Sequence, residues 1–413
     1  MHNLLKKATR QHTKDHNSRL VLQTIYDGGQ MSRADLARLT HLTRTTVSEV
    51  VSELIEQGLV EEVGHGPSSI GRTPTLLSVA DDSRHVIAVN ITNTELQGAI
   101  VTLRGVIRHR AQLPLLGQDG NAVLVQLFSF IDGLVKATTQ PLLGIGISTP
   151  GLIDTTSGIV RRAVNFGWQD LLLRNIVQSH YNVPIYVAND SHMIALAEYM
   201  FGQNQSSANL VVIKVGQGIG AGIILNGQLF SGDDFGAGEI GHVVVVEDGP
   251  LCKCGNYGCL ESVASIPWIV RRAQEIAEVV TTSPLSEYAA EGRAIDLDAV
   301  VQAFAAGDPA VRRLIEEVGR HLGIAVANLV GILNVRRVVI TGRVAPFGQV
   351  LGDAIRQELG RRVLPALAEA TEIDVLAPGP DTVLLGTSAL LLTNELGLTR
   401  LIRREAQAEE IAA

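Results

Sequence analysis

All the cysteine in this 413-residue chain sits in one short stretch, as Cys252, Cys254 and Cys259. The segment reads GAGEIGHVVVVEDGPLCKCGNYGCLES over 236–262. It puts three thiolates on one tight loop, with Gly255 and Gly258 free to make the turns. In a reducing compartment such a cluster points to a metal before a disulfide. Zinc asks for four ligands in a tetrahedron, and three Cys with one His is a known structural set. His242 is the only histidine nearby in sequence; the next are His192 and His321. The expectation is a structural Zn2+ on His242, Cys252, Cys254 and Cys259, with the histidine also shaping a ligand pocket. Three buried free cysteines, or a metal with a purely structural role, are the plainer alternatives. Glu239 and Glu261 flank the loop, where a fixed carboxylate can accept hydrogen bonds from hydroxyls; solvated surface acids are the alternative.

A second chemistry lies near the N-terminus. Thr43, Arg44, Thr45, Thr46 and Ser48 open a segment whose other face is apolar, with Val47, Val50, Val51, Leu54 and Ile55 at helical spacing. Hydroxyl residues are poor helix formers, so four of them in one turn need a reason. Arg can pair with guanine, and Thr and Ser can bond phosphates or touch thymine methyls. Arg72, in Gly71-Arg72-Thr73-Pro74, could enter a minor groove from a loop tip. A lone surface arginine is ordinarily just solvated; the surrounding pattern argues otherwise.

That pattern consists of the elements that must hold these residues. Residues 1–16 are basic and polar and read as an arm or a partial helix. Leu20, Val21 and Ile25 form a helical stripe ended by Asp27-Gly28-Gly29, and Ser32 can cap a short helix carrying Leu36 and Leu39. The helix with Arg44 follows and stops at Gly58. Strand-like 59–63, a loop over 64–74 and a return strand at 76–79 complete a winged helix-turn-helix, whose second helix enters the DNA major groove. Residues 80–84 read as a linker.

From residue 85 strands alternate with helices, which signals an α/β domain. VIAVNITNTELQGAIV (86–101) and LVVIKVGQGIGAGIIL (210–225) form a faint internal repeat, each a strand, a small or polar turn and another strand. Asp308-Pro309 starts a helix with Val311, Leu314, Ile315 and Val318. The charged stretch from Arg400 reads as a fraying end. With 46% hydrophobic and 18% charged residues the chain is globular, and its length implies two or three domains. A net charge of −8 excludes a general polyanion binder but not a small DNA-reading module. The start MHNLLKKATR lacks a signal peptide's apolar stretch, and the apolar runs are strand-sized, so a soluble cytoplasmic protein with no membrane partner is expected.

Gly-Glu-Ile-Gly-His (238–242) followed by Cys-x-Cys-Gly-x2-Gly-Cys-Leu-Glu (252–261) resembles the signature of the ROK family of bacterial repressors and sugar kinases. The helix-turn-helix with its Gly-Arg-x-Pro wing resembles the repressor branch, so the resemblance covers nearly the whole chain. It implies an actin- and hexokinase-like fold of two α/β lobes with a sugar in the cleft. The implied domains are a winged helix-turn-helix at 1–80, a first lobe at 85–190 plus 385–400, and a second lobe at 191–384 with the zinc loop and a dimerisation surface. Carried over by position, Asn189 and Asp190 match the family's Asn-Asp pair, in which the Asp of the kinases is the general base. Glu239, His242 and Glu261 match further sugar contacts, and Gly151 and Asn165 match less tightly spaced ones. Carboxylates and carboxamides suit a neutral polyol, whose hydroxyls both donate and accept.

The nucleotide side departs from the kinases. Their Asp-x-Gly-Gly-Thr is here Asn90-Ile91-Thr92-Asn93-Thr94, an amide for the acid and side chains for both glycines. The second phosphate loop has Gln217 for the usual Thr, and Gly342-Arg343 stands where paired glycines are usual. Phosphoryl transfer depends on positioning and charge compensation, so the implied function is a repressor without kinase activity. As a homodimer, or a tetramer, it would present two winged helices to a palindromic operator, and sugar would close the lobes. Two alternatives stay open: an active sugar kinase with a DNA-binding head, and a regulator answering to a protein partner through a vestigial pocket.

Overall fold

The computed structural model describes residues 10–66, 73–115, 117, 119–202 and 207–399. At the N-terminal end, α1 (Arg10–Gly28) is followed by β1 (Met31–Ser32), α2 (Arg33–Thr40) and α3 (Arg44–Glu56), then β2 (Val60–His65) and β3 (Thr75–Val79). Ser32 caps α2 in a reciprocal capping box with Asp35. Val21, Ile25, Leu36, Val47, Val51 and Leu54 are fully or almost fully buried where the three helices meet. The strands form a sheet of order β1-β3-β2, so the wing has a third strand, contributed by the turn between α1 and α2. Arg72 lies outside the described residues, as do residues 1–9 and the end of the chain from Arg400.

Two compact units follow from the chain path: one runs to Asn189 and takes the chain back at Leu384, the other is Asp190–Val383. In the first, β4 (His85–Ile91), β5 (Glu95–Val101), β6 (Ile107–Pro114), α4 (Gly120–Ala137), β7 (Leu142–Thr149), β8 (Leu152–Asp154), β9 (Ile159–Ala163), β10 (Trp168–Leu171), α5 (Leu173–Gln178) and β11 (Ile185–Asn189) alternate along the chain. The main sheet has the order β11-β7-β4-β5-β6. The β4–β5 and β5–β6 pairs are antiparallel; β4–β7 and β7–β11 are parallel. α4 is an 18-residue apolar helix long enough to cross a membrane by length and composition. The sequence reading found only strand-sized apolar runs. Val123, Leu127, Ile131 and Leu134 bury its inner face in the core with Ile87, Val89 and Ile147, which accounts for its apolarity.

The second unit holds α6 (Asp190–Phe201), β12 (Leu210–Val215), β13 (Ile219–Leu225), β14 (Gln228–Leu229), α7 (Leu260–Ala264), α8 (Ile266–Val279), α9 (Pro284–Ala290), α10 (Leu297–Ala305) and α11 (Pro309–Leu333). β15 (Arg337–Gly342), α12 (Gly348–Arg362), α13 (Pro365–Ala370) and β16 (Glu372–Leu376) follow, and α14 (Thr382–Leu396) returns the chain to the first unit. Its sheet order, β14-β13-β12-β15-β16, repeats that of the first unit strand for strand and with the same polarity. The two similar sequence segments are the β4–β5 and β12–β13 hairpins, the matching cores of this duplication. Asp308 caps α11 by accepting from the Ala310 amide at 2.8 Å, and Val311, Leu314, Ile315 and Val318 are buried.

Candidate functional site

The cysteine loop closes on itself before any ion is invoked. Gly255 and Gly258 both have positive φ, and Cys252 N–H bonds the Asn256 carbonyl at 2.8 Å. The candidate ligand atoms of His242, Cys252, Cys254 and Cys259 all lie within 4.8 Å of one another. Cys254 Sγ is 3.6 Å from Cys259 Sγ, and Cys252 Sγ is 3.7 Å from His242 Nδ1. Tetrahedral zinc with metal–sulfur bonds of about 2.3 Å spaces its sulfurs by roughly 3.8 Å, so these four residues could hold a metal ion. Burial pushes the Cys259 thiol up to about 12; a dication beside it would let it ionise.

His242 ends a short 3-10 turn, Ile240–His242, that Glu239 starts. The turn is brought close to β13 by Gly238, at φ 93°, where a Cβ would stand 2.0 Å from the Ala221 carbonyl oxygen. His192, one turn into α6, places its Nε2 2.9 Å from the Ala237 carbonyl and so ties that helix to the loop carrying Glu239. Burial holds the His192 pKa below the usual histidine value, against the opposing pull of the Ala237 carbonyl and Asp190. Glu239 keeps 45% of its side-chain surface open, 4.0 Å from His242 Nε2. The protein around it nonetheless desolvates the carboxylate and raises its pKa; His242 opposes the shift, while Glu261 and Asp190 add to it.

Glu261 is not a solvated surface acid. It is buried, accepts from the Ile219 amide through Oε2 at 2.9 Å and meets Lys253 through Oε1 at 2.9 Å. Asp190 opens α6 and pairs with Lys214 of β12, Nζ to Oδ2, at 2.5 Å. From sequence alone neither lysine has a site role, and His192 figures only as the next histidine upstream of the cysteine loop. A lysine inside the apolar run LVVIKV was the available signal for Lys214.

In the first unit, Asn189 Nδ2 donates to the Gly151 carbonyl at 2.8 Å, and Asn165 Nδ2 to Asn93 Oδ1 at 2.8 Å. Asn90 is buried and spent within the protein. Its Nδ2 donates to Gln97 Oε1 at 3.0 Å, and its Oδ1 accepts from the Ser148 hydroxyl at 3.1 Å. The Thr92 hydroxyl closes the turn that follows, accepting from the Glu95 amide at 3.0 Å. The Arg343 guanidinium bonds Asp298 at 3.1 Å.

On the N-terminal module, Arg44, Thr45 and Ser48 are exposed at the start of α3. Thr43 is its N-cap, accepting from the Thr46 amide at 3.2 Å with the two hydroxyls 2.9 Å apart. Part of the hydroxyl cluster therefore serves to start the helix.

A model of the MarR family matches residues 17–67, and one of the ROK family matches residues 86–394. The chain is 35% identical over 395 residues to the xylose repressor of Caldicellulosiruptor bescii, across 93% of this chain and 97% of that one. It is 32% identical over 320 residues to a glucokinase of Halalkalibacterium halodurans, across 76% of this chain and 96% of that one. A solved ROK family transcriptional regulator, a homolog of the E. coli MLC protein, matches with a TM-score of 0.84 at 26% identity, over 94% of this chain and 98% of its own. By its two repeated sheets, its His-Cys loop and a match running from residue 86 to 394, the chain belongs to the ROK family, with a winged helix-turn-helix ahead of the ROK fold.

Proposed function

We propose that the protein is a DNA-binding transcriptional repressor of sugar metabolism whose kinase-like part binds a sugar and transfers no phosphoryl group. One observation of coverage carries this reading. Likeness to the xylose repressor runs through 93% of the chain, DNA module included, whereas likeness to the glucokinase covers 76%. α3 supports it from below, because Arg44, Thr45 and Ser48 are exposed while Val47, Val50 and Val51 bury the opposite face. A homodimer would present two such helices to a palindromic operator in the cytoplasm.

The sugar's hydroxyls would meet Asp190, Glu239 and Glu261, acceptors held by α6, the 236–239 loop and α7, which follows the cysteine loop. His242, Cys252, Cys254 and Cys259 would hold a structural zinc ion, the usual metal of a Cys3His set. It would stiffen the loop that leads into α7, the helix carrying Glu261. The purified protein should carry about one zinc per chain, and a metal-free preparation of full stability would count against it.

Against catalysis stands the chemistry of the phosphate side. The acid expected to hold magnesium is Asn90, committed to Gln97 and Ser148. The position matching the general base, Asp190, is held by an ammonium. A thermal-shift screen against free and N-acetylated sugars, with and without magnesium ATP, tests the reading. A ligand of the folded state at a hundred times its Kd adds about 2.7 kcal/mol. One sugar should raise Tm and ATP add nothing. An added ATP shift with ADP release would reinstate the kinase, and no shift with any sugar would end the sensor reading.

A further inference from the structure

β12 reads Leu-Val-Val-Ile-Lys-Val, and every residue but the lysine is buried. Lys214 stands opposite Gly220 of β13. Gly220 leaves the space above it to the start of α6, since a Cβ there would come within 2.7 Å of the Ser191 hydroxyl oxygen. The Lys214 ammonium reaches Oδ2 of Asp190, the residue before Ser191, at 2.5 Å. The pair is not sealed off: Lys214 keeps 33% of its side-chain surface and Asp190 keeps 13%. A lysine in an otherwise buried central strand costs packing. Neutralising an acid does not by itself justify that cost, because an apolar pair would serve stability as well or better. An ammonium has three donors and no acceptor, and one donor is on Asp190. The others are placed beside a carboxylate that can accept.

We propose that Lys214 is a sugar-contacting and specificity-determining residue, forming with Asp190 a donor–acceptor pair that grips one hydroxyl of a neutral sugar. Asp190 accepts a hydrogen bond from the hydroxyl and Lys214 donates one to the hydroxyl oxygen. One hydroxyl is thereby read in both of its capacities, and an ether or a deoxy carbon at that place is rejected. This rests on the sugar-sensor reading above.

The test is calorimetric titration of the full-length protein with D-xylose, D-glucose and N-acetyl-D-glucosamine, and with the monodeoxy analogues of whichever binds. In the wild type, removal of one particular hydroxyl should weaken binding tenfold or more, the scale of a charge-assisted hydrogen bond. Lys214→Met should weaken the parent sugar by a similar factor and bind that same deoxy analogue no worse than the parent. Lys214→Gln, which keeps a neutral donor, should fall between and guards against a Met variant that does not fold. The proposal fails if either variant binds the parent sugar as the wild type does, or keeps the full deoxy penalty at every position, which would leave Lys214 a strut for Asp190. A wild-type protein that binds none of the three sugars sinks the sensor reading itself, and this proposal with it.

Discussion

Glu261 spends both carboxylate oxygens inside the protein, one on the Ile219 amide and one on Lys253. The carboxylate of Glu239, three residues before His242, has no comparably short bond among the described residues; its charged neighbour is His242 Nε2 at 4.0 Å. Removing them should therefore cost different things. Glu261→Ala leaves a buried N–H without its acceptor, a loss of about 1–3 kcal/mol, and should lower Tm by several degrees. Glu239→Ala should leave Tm nearly unchanged and abolish the sugar response while operator affinity without sugar persists. A mobility-shift titration in which Glu239→Ala still answers sugar normally would remove Glu239 from the proposed site. The sequence could show the Cys-His cluster because its members are close along the chain. It could not show that Glu261 is bonded to Ile219, or Asp190 to Lys214, because those partners are brought together by a strand and a helix far apart in sequence.

At the scale of elements, α3 shows how one cluster of residues serves two ends. Thr43 and Thr46 share the N-cap, whereas Arg44, Thr45 and Ser48 stay open. Thr43→Ala should cost about 1 kcal/mol of stability with a general fall in DNA binding. Arg44→Ala should leave stability unchanged and weaken a specific operator tenfold or more relative to unrelated DNA, the scale of one base contact. Equal loss on both DNAs would move Arg44 from base reading to phosphate contact. Most elements here were legible: Ser32 as a cap, the α3 stripe, Gly58 as its stop and Asp308 ahead of α11 are local signals. β1 was not, because two residues have no periodicity and only pairing with β3 makes them a strand. α4 was also passed over, its apolar run holding enough small and polar residues to read as strand-sized pieces. The hairpin repeat, faint in sequence, turned out to mark the centres of two sheets of one topology.

Considered whole, the chain brings its N-terminal module against the far end of its own sequence. Gln23 of α1 is buried; its Nε2 donates to the Thr399 carbonyl at 2.5 Å and its Oε1 accepts from the Thr399 amide at 2.6 Å. Nearby, the Arg104 guanidinium lies 4.4 Å from the centre of the Tyr26 ring and bonds Asp81 at 3.0 Å, so α1 is also fixed to the β5–β6 turn. Thr399 follows α14, the helix that begins where the second unit ends. A sugar can alter DNA affinity only by binding two states of the protein unequally, and that difference must reach α3 through elements that are joined. Residues 80–84 are one covalent route; the reciprocal Gln23–Thr399 pair is a second. Gln23→Leu keeps the volume of the side chain but strips both bonds from the Thr399 backbone. If the signal travels this way, the variant should bind sugar in the absence of DNA as tightly as the wild type and bind operator in the absence of sugar as tightly. The fold-change in operator affinity that sugar produces should shrink toward one. Because the two end-point affinities are measured separately, a merely destabilised variant is recognised by a loss in either of them. A Gln23→Leu protein with intact affinities and an intact sugar response would place the coupling in the linker and leave the Gln23 pair as packing alone.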